Sequence, residues 1–170
     1  MKFGDNLTGS LLVAHPCLRD PNFRRSIVFL SQHCPEEGAT GFVLNRPLQA
    51  LPDAAVPVFF GGPVGMEESL LTSLQWRENP SLVAFRAFTE VGNAESRQGW
   101  EKGLRIFEGY AGWSPGQLEQ EIEGNTWLVI PPTRELIEMN DPDTAWQNIM
   151  RNSGPLLHLL SEVPDDPGLN

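Results

Sequence analysis

The side chains with ligand and nucleophile chemistry cluster in the first third of the chain: His15 and Cys17, then His33 and Cys34. Two imidazoles and two thiols make a set that zinc accepts at tetrahedral geometry. The spacings count against that use. Structural zinc sites are usually built on CxxC or HxxxH knuckles, whereas neighbours such as His33 and Cys34 on a strand point to opposite faces. The expectation is a strand-end histidine bonded to main chain, two reduced thiols, and neither metal nor cofactor. Hydrolytic chemistry would take Ser26 or Cys34 as nucleophile and His33 as base, oriented by Asp20 or Glu37. No G-x-S-x-G elbow is there to present the nucleophile, and Ser26, directly before Ile27-Val28-Phe29-Leu30, reads as a strand residue.

Phosphate chemistry is no better served. Gly61-Gly62-Pro63-Val64-Gly65 lacks the P-loop spacing, and Gly109-x-x-Gly112 lacks the dinucleotide pattern, so both read as turn glycines. The helix start before Pro115 offers N–H groups to an anion, but Ser114 and Gln117 are placed to satisfy them. Arg19, Arg24 and Arg25 are the only basic cluster. With 12 Lys and Arg against 22 Asp and Glu, the net charge is −10, which repels a phosphate backbone, and direct nucleic-acid binding is not expected. Two unusual spots remain. Asn45-Arg46-Pro47 closes an expected strand, and Trp113 sits beside a glycine turn with Tyr110.

The elements that would position these groups read as follows. Ser10 to Ala14 is a short buried strand, and Asp20 to Phe23 a turn. Arg25–Gln32 and Thr40–Asn45 form a hairpin around Pro35-Glu36-Glu37-Gly38. Arg46 to Pro57 is loop. Strands are expected at Val58–Phe60, Leu70–Trp76 and Ser81–Thr89, and an amphipathic helix at Glu95–Lys102. The stretch from Gly109 to Pro131 organises the rest. It follows a strand over Leu104–Tyr110 and begins with a bend between Gly109 and Gly112. A helix capped by Ser114 comes next, with Leu118 and Ile122 on its apolar face, and then a strand over Thr126–Ile130. Helices follow at Arg134–Glu138, from Pro142, and over Pro155–Leu160, before an expected disordered tail over about 163–170.

Three of these runs resemble one family. GYAGWSPGQLEQEI with a following Trp, the stretch Leu11–Pro47, and Phe60-Gly61-Gly62-Pro63-Val64 are similar to the YqgE/AlgH family of bacterial proteins. The resemblance implies a coiled-sheet domain with helices around it. One branch of the family carries a transcriptional-regulator label, and no catalytic residues come with it.

A chain of 170 residues with 40% hydrophobic content suits one domain. The fold class expected is α+β: a single mixed domain, 1–170, of coiled, largely antiparallel sheets with peripheral helices. No apolar run is long enough for a membrane span, and two cysteines fit a reduced, cytoplasmic setting. The expected role is non-catalytic and regulatory, through a protein partner or a small ligand. Candidate binding residues are Asp20, Asn22, Arg25, His33, Asn45, Arg46, Tyr110 and Trp113. The alternative is a hydrolase using the polar members of that set.

Overall fold

The computed structural model describes residues 6–48, 56–88 and 98–163. Strand β1 (Leu11–Ala14) and the first half of β2 (Ile27–Cys34), Ile27 to Leu30, are continuous apolar runs because they are covered on both faces. Their alternate side chains separate into two cores. Leu11, Val13, Ile27 and Phe29 face one cluster with Ile137, Trp146 and Met150. Leu12, Ala14, Val28 and Leu30 face another with Trp113, Leu118 and Trp127. The helices α2 (Arg134–Glu138) and α3 (Pro142–Arg151) supply the first cover, and α1 (Gln117–Glu123) the second. The Trp146 indole N–H donates to the Ala14 carbonyl at 2.9 Å and fastens α3 to the sheet. Helix α4 (Pro155–Ser161) closes the described chain.

The remaining strands are β3 (Gly38–Val43), β4 (Val58–Phe60), β5 (Val64–Arg77), β6 (Leu82–Phe88), β7 (Leu104–Trp113) and β8 (Trp127–Ile130). They form an eight-stranded sheet in the order β6-β5-β7-β3-β2-β1-β8, with β4 attached to β7. Every pairing is antiparallel except β4 with β7. The α+β class expected from the element order is what the chain adopts. β7 is the hub. Its first half lies between β4 and β5, and its second half pairs with β3 through Ala39↔Trp113, Thr40↔Gly112 and Gly41↔Ala111.

Several expected boundaries move, each for a physical reason. No bend occurs between Gly109 and Gly112. Gly109 takes φ +74° inside the strand, and β7 runs on to Trp113 because β3 supplies a partner there. The turn falls later, at Gly116, which has φ +79° and is the N-cap residue of α1. Ser114 is therefore not the cap. Only the reciprocal half of the expected box forms, with the Ser114 N–H donating to Gln117 Oε1 at 3.0 Å. The helix expected over Glu95–Lys102 lies partly outside the described residues, and 98–103 is turn and irregular chain. Residues 49–55 of the expected loop and 164–170 of the expected tail also lie outside them. Within the loop, Pro47 bridges to Phe59, and the Leu48 N–H donates to the Val58 carbonyl at 2.9 Å. Among the described residues no helix is long and apolar enough to cross a membrane.

β7 can occupy its central position because glycines admit a second backbone against it. A Cβ on Gly109 would overlap the Gly62 carbonyl oxygen, and one on Gly61 would overlap the Gly109 carbonyl oxygen. At Gly112 a Cβ meets only the Tyr110 ring, at 3.6 Å, and the backbone is not left-handed. Gly109→Ala should therefore lose about 3 kcal/mol or more, from left-handed strain and backbone overlap together. Gly112→Ala should stay within about 1 kcal/mol of the parent. Urea denaturation of the two variants checks the contrast.

Candidate functional site

The largest meeting of candidate residues is a cleft of about 440 Å³ walled by Arg24, Arg25, Asn45 and Arg46 and by the first turns of α3. Its wall is built by two side chains that grip main chain. Asn45 spans the left-handed Arg25 (φ +55°): its amide N–H donates to the Arg25 carbonyl and its Oδ1 accepts from the Ile27 N–H, both at 2.9 Å. The guanidinium of Arg46 takes the carbonyls of Pro21 (3.0 Å), Asn22 and Arg24 (2.6 Å). Asp20 completes the loop by accepting the Asn22 N–H at 2.8 Å. Burial, then the neighbouring Arg24, holds Arg46 below the usual arginine range, while Asp20 opposes the effect. Arg25 lies over the Trp146 ring, 5.2 Å from its centroid, and reaches the Ser161 and Val163 carbonyls at 3.4 and 3.3 Å.

His33 belongs elsewhere. It is buried, its Nδ1 accepts the Leu7 N–H at 2.9 Å, and its Nε2 lies 2.6 Å from Glu119 Oε1. Because Nδ1 is an acceptor, the proton sits on Nε2 and is donated to Glu119. The ring thus ties the N-terminal segment and α1 to β2. Both candidate nucleophiles have other partners: the Ser26 hydroxyl donates to the Phe23 carbonyl at 2.6 Å, and the Cys34 thiol to Glu36 Oε2 at 3.0 Å. The Cys34 bond, then the Glu36 main-chain N–H, holds the Glu36 carboxyl below the usual range. His15 Nδ1 accepts the Cys17 N–H at 3.1 Å. Among the described residues, His, Cys, Asp and Glu gather in no group of three able to hold a metal ion.

Tyr110 and Trp113 part company. Tyr110 is 38% exposed and points outward from β7, alongside Gly112. With Gln32, Cys34, Gly38, Thr40 and Val64 it lines a groove of about 390 Å³. Trp113 contributes to that groove but is 6% exposed. Its ring packs against Phe23 at 6.3 Å and edge-on to Trp127 at 6.1 Å. Trp113, a candidate binding residue expected at a glycine turn, is instead buried. Strand alternation turns residue 113 inward once β7 continues through the glycines. Residues that the sequence did not single out are Glu119, the partner of His33, and Trp146 and Gln147 in the arginine cleft. No local spacing signals them, since each meets its site across long chain separations.

The AlgH-like family model matches residues 11–158. The chain belongs to the AlgH-like family. A UPF0301 protein of Thermobifida fusca is 35% identical over 97% of this chain and 96% of its own length. One from Streptomyces coelicolor is 37% identical over the same shares. The solution structure of the AlgH protein from Pseudomonas aeruginosa has a TM-score of 0.63 at 27% identity, covering 96% of this chain and 98% of that one. The crystal structure of Corynebacterium diphtheriae protein DIP2367 shares the fold at a TM-score of 0.73 and 23% identity, covering 96% and 95%.

Two stability predictions follow from this placement. Trp113→Ala and Trp127→Ala should each lose about 3–5 kcal/mol, because both rings are core, and thermal unfolding of the pair tests their equivalence. Asn45→Ala should lose about 1–3 kcal/mol by leaving the Ile27 N–H and the Arg25 carbonyl unpaired, measured by chemical denaturation.

Proposed function

We propose that this AlgH-like protein acts by binding, in a regulatory role exerted through a protein partner or a small ligand. One observation carries the reading: the polar side chains with catalytic chemistry are engaged in hydrogen bonds to main chain or to neighbouring carboxylates, and not to one another. Both nitrogens of His33 are occupied, by Leu7 and Glu119, and neither Ser26 nor Cys34 bonds to it. Asn45 and Arg46 grip the loop at 20–27. A general base needs hydrogen-bond reach of its nucleophile, and the His33 ring is aimed elsewhere.

The surface suited to a partner is the groove around Tyr110. Its aromatic ring is set among small residues, Gly38, Ala39 and Gly112, with Gln32, Thr40 and Ser114 supplying polar groups at the rim. Exposed tyrosine on a rigid strand gives contact area at little conformational cost. Any influence on transcription would be indirect, since a charge of −10 opposes association with duplex DNA.

Tyr110→Ala should keep the melting temperature within about 2 °C, as expected for a surface change, and should lose partners that the wild type captures. In parallel, His33→Gln should leave any background turnover of ester, amide and phosphoester probes unchanged. Turnover by the purified wild type that disappears in His33→Gln would overturn the binding reading in favour of a hydrolase.

A further inference from the structure

We propose that the groove at Tyr110 docks a cationic segment of a partner protein, an extended stretch in which Lys or Arg flanks an apolar residue. The proposal rests on the binding reading above and gives that reading a partner chemistry.

The groove lies on bare sheet. On β3, Thr40 and Gly38 alternate with the buried positions at the spacing of Phe42, so they share the face of the first core. Gln32 on β2 and Gly112 on β7 pair with Thr40 from either side and complete a floor to which no helix contributes a described lining residue. Gly112 is the informative member. Gly61, Gly62 and Gly109 each lack a Cβ because another backbone lies where it would go. At Gly112 the backbone is not left-handed, and a Cβ would meet nothing nearer than the Tyr110 ring at 3.6 Å. Glycine weakens a strand interior, and nothing among the described residues requires it here. A bare backbone position in a strand suits close approach of another chain from outside.

Charge decides which chain approaches. The groove is formed by residues 31–40, 64–69 and 108–114, all of them described. These stretches hold Glu36, Glu37, Glu67, Glu68 and Glu108, and none of the 12 Lys and Arg. Their one histidine, His33, is buried and bonded to Glu119. Among the described residues, no Lys or Arg pairs with the five carboxylates or lines the groove. β5 and β2 lie on opposite sides of the β7–β3 pair. Glu67 and Glu68 therefore stand at one flank, and Glu36 and Glu37 at the other. Carboxylates on both flanks oppose a nucleic acid, or a second copy presenting the same face, and favour Lys and Arg.

An apolar shelf lies beside this floor. Val64, Met66 and Tyr110 are 41, 51 and 38% exposed. β5 places residues 65–68 between its pairings with Tyr110 and Glu108, where β7 has Gly109 alone, so the excess bulges from the sheet. A Cβ on Gly65 would come 3.5 Å from the Tyr110 ring, so the bulge backs the ring and limits its movement. An aliphatic anchor can pack on Val64 and Met66, and a guanidinium can lie over the tyrosine.

Random peptides displayed on phage and selected on the immobilised protein test this, with the enriched sequences synthesised and titrated by fluorescence anisotropy. The expected result is enrichment of Lys and Arg around an apolar residue, and one-to-one binding that weakens as salt is raised. Gly112→Val fills the floor and leaves every charge in place, and it should weaken binding about tenfold. That loss separates docking in the groove from general attraction of cations to an acidic chain. Gly112→Ala, the milder change, should weaken binding several-fold and decides the matter if the valine variant does not fold. Glu37→Gln, an exposed substitution, should weaken it and flatten the salt dependence. No enrichment, enrichment of acidic or uncharged sequences, or parental affinity in both Gly112→Ala and Glu37→Gln would overturn the proposal. Self-association that Gly112→Ala abolishes would also overturn it, by assigning the groove to a second copy. The two readings fail separately. Tyr110-dependent capture through uncharged peptides sinks only the cationic segment, and cationic-peptide binding alongside His33-dependent turnover sinks only the non-catalytic role.

Discussion

The backbone of Gly61-Gly62 lies directly against that of Gly109-Tyr110, and much of the fold depends on this contact. Side chains at these glycines would hold the two segments apart. The contact lets β4 run parallel to β7 on one edge while β5 and β7 pair on the other. It also lets β7 leave that company and continue beside β3. β7 therefore has different partners along its length and joins the two halves of the sheet. The two glycine runs that carry the family resemblance are therefore one structural device seen from its two halves.

A second device holds the loop before β2. Asn45 and Arg46, adjacent in sequence, satisfy five main-chain groups between Pro21 and Ile27. The loop would otherwise carry unpaired carbonyls near the protein interior, which is costly. Its fixed shape delivers Phe23 against Trp113 and Trp127, with ring centroids 6.3 and 5.6 Å away. Polar grip and aromatic packing are thus two layers of one arrangement. Arg46 touches the loop's main chain, and Phe23 carries the effect into the core under α1.

How much of this could be read from the sequence depends on the range of the interaction. Ile27-Val28-Phe29-Leu30 declares a doubly covered strand by composition alone, and Pro142 declares a helix start by its fixed φ. Those signals are local. The bend expected at Gly109–Gly112 was the natural reading of two nearby glycines, but glycine serves equally for close backbone approach. Only the partner segment, Gly61-Gly62, distinguishes the two uses. Trp113 followed from the same ambiguity, because a turn would expose it and a strand buries it. At the site, Asn45 and Arg46 were visible as unusual polar residues closing a strand. Their partners, and the 86-residue separation of His33 from Glu119, were not.

The guanidinium groups of Arg105 and Arg46 obey a common rule. Arg105, 5% exposed on β7, donates to the Ile137 carbonyl at 2.9 Å, near the end of α2, and its second terminal nitrogen has no hydrogen-bond partner among the described residues. Burial pushes it down to about 10. Its folded value is below its unfolded one, so the unfolded chain binds more protons between the two, and stability rises with pH across that interval. At neutral pH the cost of burying the charge is present in full. What offsets it is geometric. Arg105 fastens α2 to β7, with Phe59 beneath it at 5.6 Å, much as Arg46 fastens the loop above Phe60 at 5.8 Å. In both, a cation bonded to carbonyls replaces the carboxylate that a stability argument would expect. The difference lies in access. Arg105 is sealed inside the first core, whereas Arg46 lines a surface cleft.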